Sequence, residues 1–227
     1  YDEWRRHMAA SHRIAGRTPV QRRSLNIVQA APEDILTFWF ADALACREKL
    51  SAASARWFDR SEAFDETIRS RCGALPGQAA RGELNEWRNE PRSALALIIV
   101  LDQFPRNLFR GQPEAFSLDP LAREAALAAI ERRFDELLHP VEASFLYLPL
   151  EHAEDLALQD RCVALFDQLV ARADAGCREQ LERFAGFARS HQDVIRRFGR
   201  FPHRHEIVNR PSTDEESAYL AGGGHRF

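Results

Sequence analysis

Three polar blocks stand out in the 227-residue chain: LDQFPRN (Leu101 to Asn107), PLEHAED (Pro149 to Asp155) and HQDVIRRFGRFPHR (His191 to Arg204). Each places His, Asp, Glu or Arg where helical periodicity calls for buried apolar side chains. An imidazole near neutrality can take or give a proton, a neighbouring carboxylate can fix its tautomer, and guanidinium groups grip carboxylate or phosphate oxygens in pairs. Together these residue types suit acid–base chemistry or binding at a small anion.

Asp102 ends a run from Ala94 to Leu101 that is apolar on every side, the mark of an enclosed helix. A carboxylate there needs a partner, and Arg106, four residues on, is placed to pair with it if the helix passes Pro105. The same pair would serve equally as a structural ion pair closing the helix. At 100° per residue, Leu148, Leu156, Cys162, Val163 and Phe166 share one arc of a helix over 140–157 and its continuation. His152, Asp155 and Gln159 fall inside that arc, with Glu151 at its flank and Glu154 nearer the wet side. Unpaired, each such group would cost about 1–3 kcal/mol. A second inward histidine, His191, lies on the stripe of Leu181, Phe184, Ala188, Ile195 and Phe198.

Past that helix, Gly199 suits a left-handed helix end, and Arg196 and Arg197 complement its dipole. Arg200, His203, Arg204 and Arg210 follow in a segment whose only acid is Glu206. They are candidates for holding a carboxylate or phosphate, with a solvated basic loop as the alternative.

The elements that must position these groups read as all-α. Period-two alternation is nearly absent from Pro32 onward, and Pro32, Pro91, Pro120 and Pro140 mark first helical positions. Asp119 reads as a cap before Pro120, and Ser212 and Thr213 stand three residues before Glu215 and Glu216 as a capping box requires. Helices are expected over 32–44, 52–58, 61–72, 91–104, 119–133, 140–157, 159–173, 178–198 and 213–221. Short connections favour stacked antiparallel hairpins. Residues 1–31 read as a flexible basic leader, with a transit peptide as the alternative because Met8 to Pro32 hold four arginines and no acid. A single helical domain is expected over 32–227.

A formal charge of -3 and a pI near 6.3 give no whole-molecule attraction to nucleic acid or an anionic membrane surface. No apolar run is long enough to span a bilayer. Cys46, Cys72, Cys162 and Cys177 form no CxxC pair, which favours reduced thiols and a cytoplasmic setting. No dinucleotide, P-loop, α/β-hydrolase or zinc signature occurs, so no cofactor or metal is indicated. Glu136 and His139 have a di-iron spacing without its second copy. A metal enzyme would require His152, His191 and a carboxylate to converge. Fifteen Phe suit a core or a subunit contact equally, leaving oligomeric state open.

The blocks LDQFPRNLFRG, FLYLPLEHAEDLALQ and HQDVIRRFGRFPHR, followed by Asn209-Arg210 and Ser212 to Glu216, resemble a bacterial family catalogued as domain of unknown function 924. The resemblance covers about residues 33 to 220 and implies an all-helical, tetratricopeptide-like fold without an assigned activity. Its pattern falls on Asp102, Gln103, Arg106, Asn107, Glu151, His152, Glu154, Asp155, His191, Gly199, Arg200, His203, Arg204 and Arg210. His205 stands where that pattern has Asn, and Val208-Asn209 where it has Leu-Gly.

The residues expected to carry proton chemistry are therefore His152 and His191, with Asp102, Glu151 and Asp155 orienting them. Arg106, Asn107, Gln159, Arg200, His203, Arg204 and Arg210 are expected to receive a small anionic molecule. The alternative is a peptide-binding scaffold of stacked hairpins in which the polar blocks only hold helices together.

Overall fold

The computed structural model describes residues 30–227, so the expected leader lies almost wholly outside the described residues. Every regular element among them is helical: α1 (Pro32–Phe40), α2 (Arg47–Phe58), α3 (Glu62–Cys72), α4 (Leu75–Ala80), α5 (Pro91–Ile98), α6 (Phe104–Leu108), α7 (Asp119–Glu131), α8 (Pro140–Glu151), α9 (Leu156–Arg172), α10 (Arg178–Phe198) and α11 (Asp214–Ala221). Short single-turn helices punctuate the loops. Pro sits in the first turn of α1, α5, α7 and α8, where its missing N–H costs no hydrogen bond.

Helix α8 is the centre. Every side chain from Val141 to Glu151 is buried, and α7, α9 and α10 pack around it while α5 crosses it. Consecutive helices pair from α7 to α10, as hairpins should. Earlier in the chain the partners are distant in sequence, with α1 on α5 and α3 on α6. One apolar core runs from Ile35 to Ala188, and a small satellite of Val194, Ile195 and Phe201 lies under the segment after α10.

Two departures from the expected helices shape the site. The helix opening at Pro91 does not stop at Phe104. Between α5 and α6 the chain widens into a π-turn, Ile99–Gln103, in which the Phe104 N–H reaches the Ile99 carbonyl. A proline mid-helix lacks an N–H and its ring crowds the carbonyl four residues back. The wider turn accommodates Pro105 there, so the helical path continues to Leu108 and carries Asp102 and Arg106 on one wall.

The helix expected over 140–157 is corrected in the other direction, since α8 ends at Glu151. The fully buried Gln159 amide donates to the carbonyls of Glu151 at 2.6 Å and Ala153 at 2.8 Å, taking up orphan acceptors at that helix end. Asp155 then starts α9 by accepting the Leu158 N–H at 3.1 Å. The break resets the helical phase, which is why Leu156 is exposed while Gln159, Cys162 and Phe166 remain inside.

Candidate functional site

Asp102 anchors the site. Its carboxylate is fully buried, with Oδ1 2.8 Å from His152 Nδ1 and 3.3 Å from Arg106, and Oδ2 accepting the Gln103 amide at 2.6 Å. Burial alone would raise its pKa, but Arg106 and then His152 overcome this and hold the carboxyl well below the ordinary range. An ionised carboxylate can only accept, so the His152 Nδ1 carries the hydrogen. Burial, then the Arg106 charge, lowers the His152 pKa. The imidazole is therefore neutral near pH 7, with its Nε2 lone pair uncommitted among the described residues.

Arg106 is clamped on both sides. It donates to the Asp102 carbonyl at 2.8 Å and to both oxygens of Asp119 at 2.9 and 3.1 Å. The sequence predicts Asp119 as the cap of α7. It occupies the first helical position instead, with Leu118 before it, and its carboxylate turns to the arginines.

The second histidine comes close to the first, their ring centroids 6.2 Å apart. His191 Nδ1 donates to the Phe187 carbonyl at 2.9 Å and lies 3.1 Å from Glu151 Oε1. Burial, reinforced by His152, pushes the His191 pKa well below its usual value. Glu151 is buried too, and burial with the adjacent Asp102 charge pushes its carboxyl up to about 8. Near neutrality it keeps its proton, so Asp102 is the only charged member of this pair of carboxyls.

His152 forms part of the wall of a hollow of about 240 Å³, shared with Phe116, Asp119, Pro120, Arg123, Ala153, Glu154, Arg204, Val208 and Arg210. Arg204 is the unusual wall. Only 8% exposed, it lies between two aromatic faces, its guanidinium carbon 4.7 Å from the Phe116 ring and 4.4 Å from Phe201. One of its nitrogens donates to the His152 carbonyl at 3.2 Å and lies 3.6 Å from Asp119, while its Nε is buried without a partner among the described residues. Burial depresses its pKa to about 10, which still leaves it charged at neutral pH. A larger hollow of about 390 Å³ between α2 and α10 is lined by Arg47, Glu179 and Arg183, exposed groups already paired with one another.

Several expected site residues stand elsewhere. Asp155 is exposed and caps α9, away from both histidines, because the break after Glu151 removed it from the inward arc. Gln159 is spent on main-chain carbonyls. Asn107 donates to the Gln103 carbonyl at 2.9 Å and accepts from Arg110 at 2.8 Å, facing α3. Arg200 forms a bidentate pair with Glu216 at 2.6 and 2.8 Å. Arg210 borders the hollow but is held by Glu154 at 2.6 and 2.7 Å. His203 packs on Phe201 and lies outside the hollow's wall.

Asp119, Phe116 and Glu154 are the site residues sequence periodicity did not mark. Glu154 also accepts the Phe201 N–H at 2.8 Å, and with Arg210 it pins the segment after α10 onto the end of α8. Among the described residues no group of three or more His, Cys, Asp or Glu is arranged to hold a metal ion. His139 accepts the Val141 N–H at the start of α8, and Glu136 pairs with Arg133.

Asp155→Ala is expected to cost about 1 kcal/mol, the usual value of an N-cap, and to lower the melting temperature by about 2–4 °C. Thermal melts would register this, while any ligand affinity stays unchanged.

Residues 35–224 match the family described as "Bacterial protein of unknown function (DUF924)". The chain belongs to this family. A solved structure, that of a protein of unknown function, ATU0120, from Agrobacterium tumefaciens, is 38% identical and superposes with a TM-score of 0.72, over 85% of this chain and 97% of that one. The all-helical fold is thus shared by both. No curated protein matches the chain. No described helix is long and apolar enough to cross a membrane.

Proposed function

We propose that the hollow beside His152 binds a small carboxylate- or phosphate-bearing molecule and that His152 exchanges a proton with it. One observation carries the reading: a nearly buried arginine, Arg204, is locked between two rings with its Nε unpartnered among the described residues, and it lines the same hollow as His152. A buried donor without a partner costs about 1–3 kcal/mol, and a ligand oxyanion would repay that cost. Asp102 fixes the His152 tautomer with Nε2 as the base, the division of labour in carboxylate–imidazole pairs. Arg106 is neutralised by Asp102 and Asp119, so it sets up the dyad while Arg204 meets the anion. His191 and Glu151 form the layer behind His152.

The test is a thermal-shift screen with inorganic phosphate and a panel of mono- and dicarboxylates. A saturable stabilisation of wild type, reaching about 2.7 kcal/mol at a hundredfold excess over Kd, is the expected sign of a hit. His152→Ala and Arg204→Lys should weaken it tenfold or more with near-UV circular dichroism unchanged. A hit that survives both substitutions, or a screen without hits alongside saturable binding from a peptide array, would replace this reading with the scaffold.

A further inference from the structure

One ring sits next to the dyad without belonging to it. After α11, Gly222-Gly223-Gly224 leads to His225, Arg226 and Phe227, and the Phe227 side chain lies flat on His191, ring centroids 3.5 Å apart and planes 22° from parallel. Phe201 meets it edge-on at 5.9 Å and His203 at 5.8 Å, while His225 stacks on its outer side at 5.3 Å. Phe227 is thus held in a three-walled seat.

We propose that His191, Phe201 and His203 form a subsite for a planar aromatic or heteroaromatic ring of a ligand, and that Phe227 fills it as an exchangeable strap. The seat fits a ring in its own right: one flat face, two edge-on walls, and the spacings at which aromatic pairs attract. Two of its walls are imidazoles, an unexpected choice for a site meant only to bury a Phe. His203 Nδ1 is buried with no partner among the described residues, a polar edge that Phe227 cannot satisfy and a heteroatom or exocyclic donor of a ligand ring can.

The occupant is weakly tethered. Phe227 is 39% exposed, whereas Phe201 beneath it is fully buried. Two hydrogen bonds of 2.9 Å hold its segment, both to Tyr219: the Gly224 N–H donates to its carbonyl and the His225 N–H to its hydroxyl. Gly223 has φ of +84°, and a Cβ on Gly224 would collide with the Tyr219 ring, so this path over α11 needs glycine and gives the strap a pivot.

Seat and hollow have different walls, but packed side chains join them. Phe201 carries Arg204 on one side and packs edge-on against His191, and the His191 and His152 rings are neighbours. A ligand with a ring on His191 and a carboxylate at Arg204 would span the two. The ring seat stands on its own geometry, whereas the anionic end of that ligand rests on the proposed function.

Phe227→Ala and wild type should be titrated by calorimetry with benzyl alcohol, benzoate and acetate. If the strap competes by filling the seat most of the time, the substitution should tighten both ring probes roughly tenfold and leave acetate unchanged. Replacing Phe227 by 4-fluorophenylalanine in the otherwise intact chain supplies a second readout, as saturating benzyl alcohol should shift its fluorine resonance toward that of a solvent-exposed ring. Equal affinities in both proteins together with an unmoved resonance would overturn the subsite. If the ring probes tighten but Arg204→Lys leaves benzoate unaffected, the ring subsite stands and the anion site fails.

Discussion

Replacing Asp102 by Ala is expected to cost about 3–5 kcal/mol of stability and lower the melting temperature by roughly 10 °C, because the substitution strips three donors of one fully buried acceptor. His152 Nδ1, the Gln103 amide and Arg106 all converge on that carboxylate. Arg106 keeps Asp119, so the cost falls short of a fully orphaned buried cation. Asp102→Asn retains an oxygen for His152 but presents an amide where Gln103 donates, and it withdraws the charge facing Arg106. The expected order of stability is wild type, then Asn, then Ala, read from urea or thermal unfolding. Equal stability of the Asn variant and wild type would show that the carboxylate's charge is not what holds this wall.

His191 was legible because it lies on a helix long enough for the apolar period to fix its face, and in α10 that period holds from Leu181 to Ile195 without interruption, whereas His152 stands just past the end of α8. The pairing of Asp102 with Arg106 was legible as a four-residue spacing. The π-turn that lets the pair form around Pro105 leaves no trace in a hydrophobic pattern, since every residue from Ala94 to Gln103 is buried whichever way the helix winds. Asp155 shows the limit of carrying a phase forward. Its placement assumed a helix past Glu151, but the Gln159 amide, a contact made only after folding, closes α8 early.

Asp119 was hidden for the opposite reason. An Asp before Pro at a helix start is ordinarily a cap, and nothing local announces that two arginines from elsewhere will claim it. The basic segment after α10 looked short of acids because its partners, Glu154 and Glu216, come from the end of α8 and from α11. Its apparent surplus of charge shrinks to Arg204, which tertiary structure leaves incompletely paired.

Glu151→Gln is expected to reshape the pH dependence of stability. In the folded protein this carboxyl is raised to about 8 by burial, then by Asp102, with Arg106 pulling the other way. An unfolded Glu ionises near 4.5, so across the interval the unfolded chain releases a proton that the folded chain retains. The contribution is whole below about 4.5 and falls by about 1.4 kcal/mol per pH unit until the folded group also ionises near 8. Gln cannot ionise and removes this slope. The melting temperature of the variant minus that of wild type should therefore climb from pH 5 to 8 and level off above.

His152 and His191 act in the other direction. Their lowered values make their contribution whole above about 6.5 and lost as the pH falls through their folded pKa values. Both persist in the variant and largely cancel in the difference, which isolates Glu151. Differential scanning calorimetry across that range decides the matter, since parallel curves would mean that Glu151 is already ionised when folded. The same proton bears on the hollow: once Glu151 ionises, a second negative charge stands beside Asp102, and anion affinity in wild type should drop above pH 8 while the Gln variant holds its own.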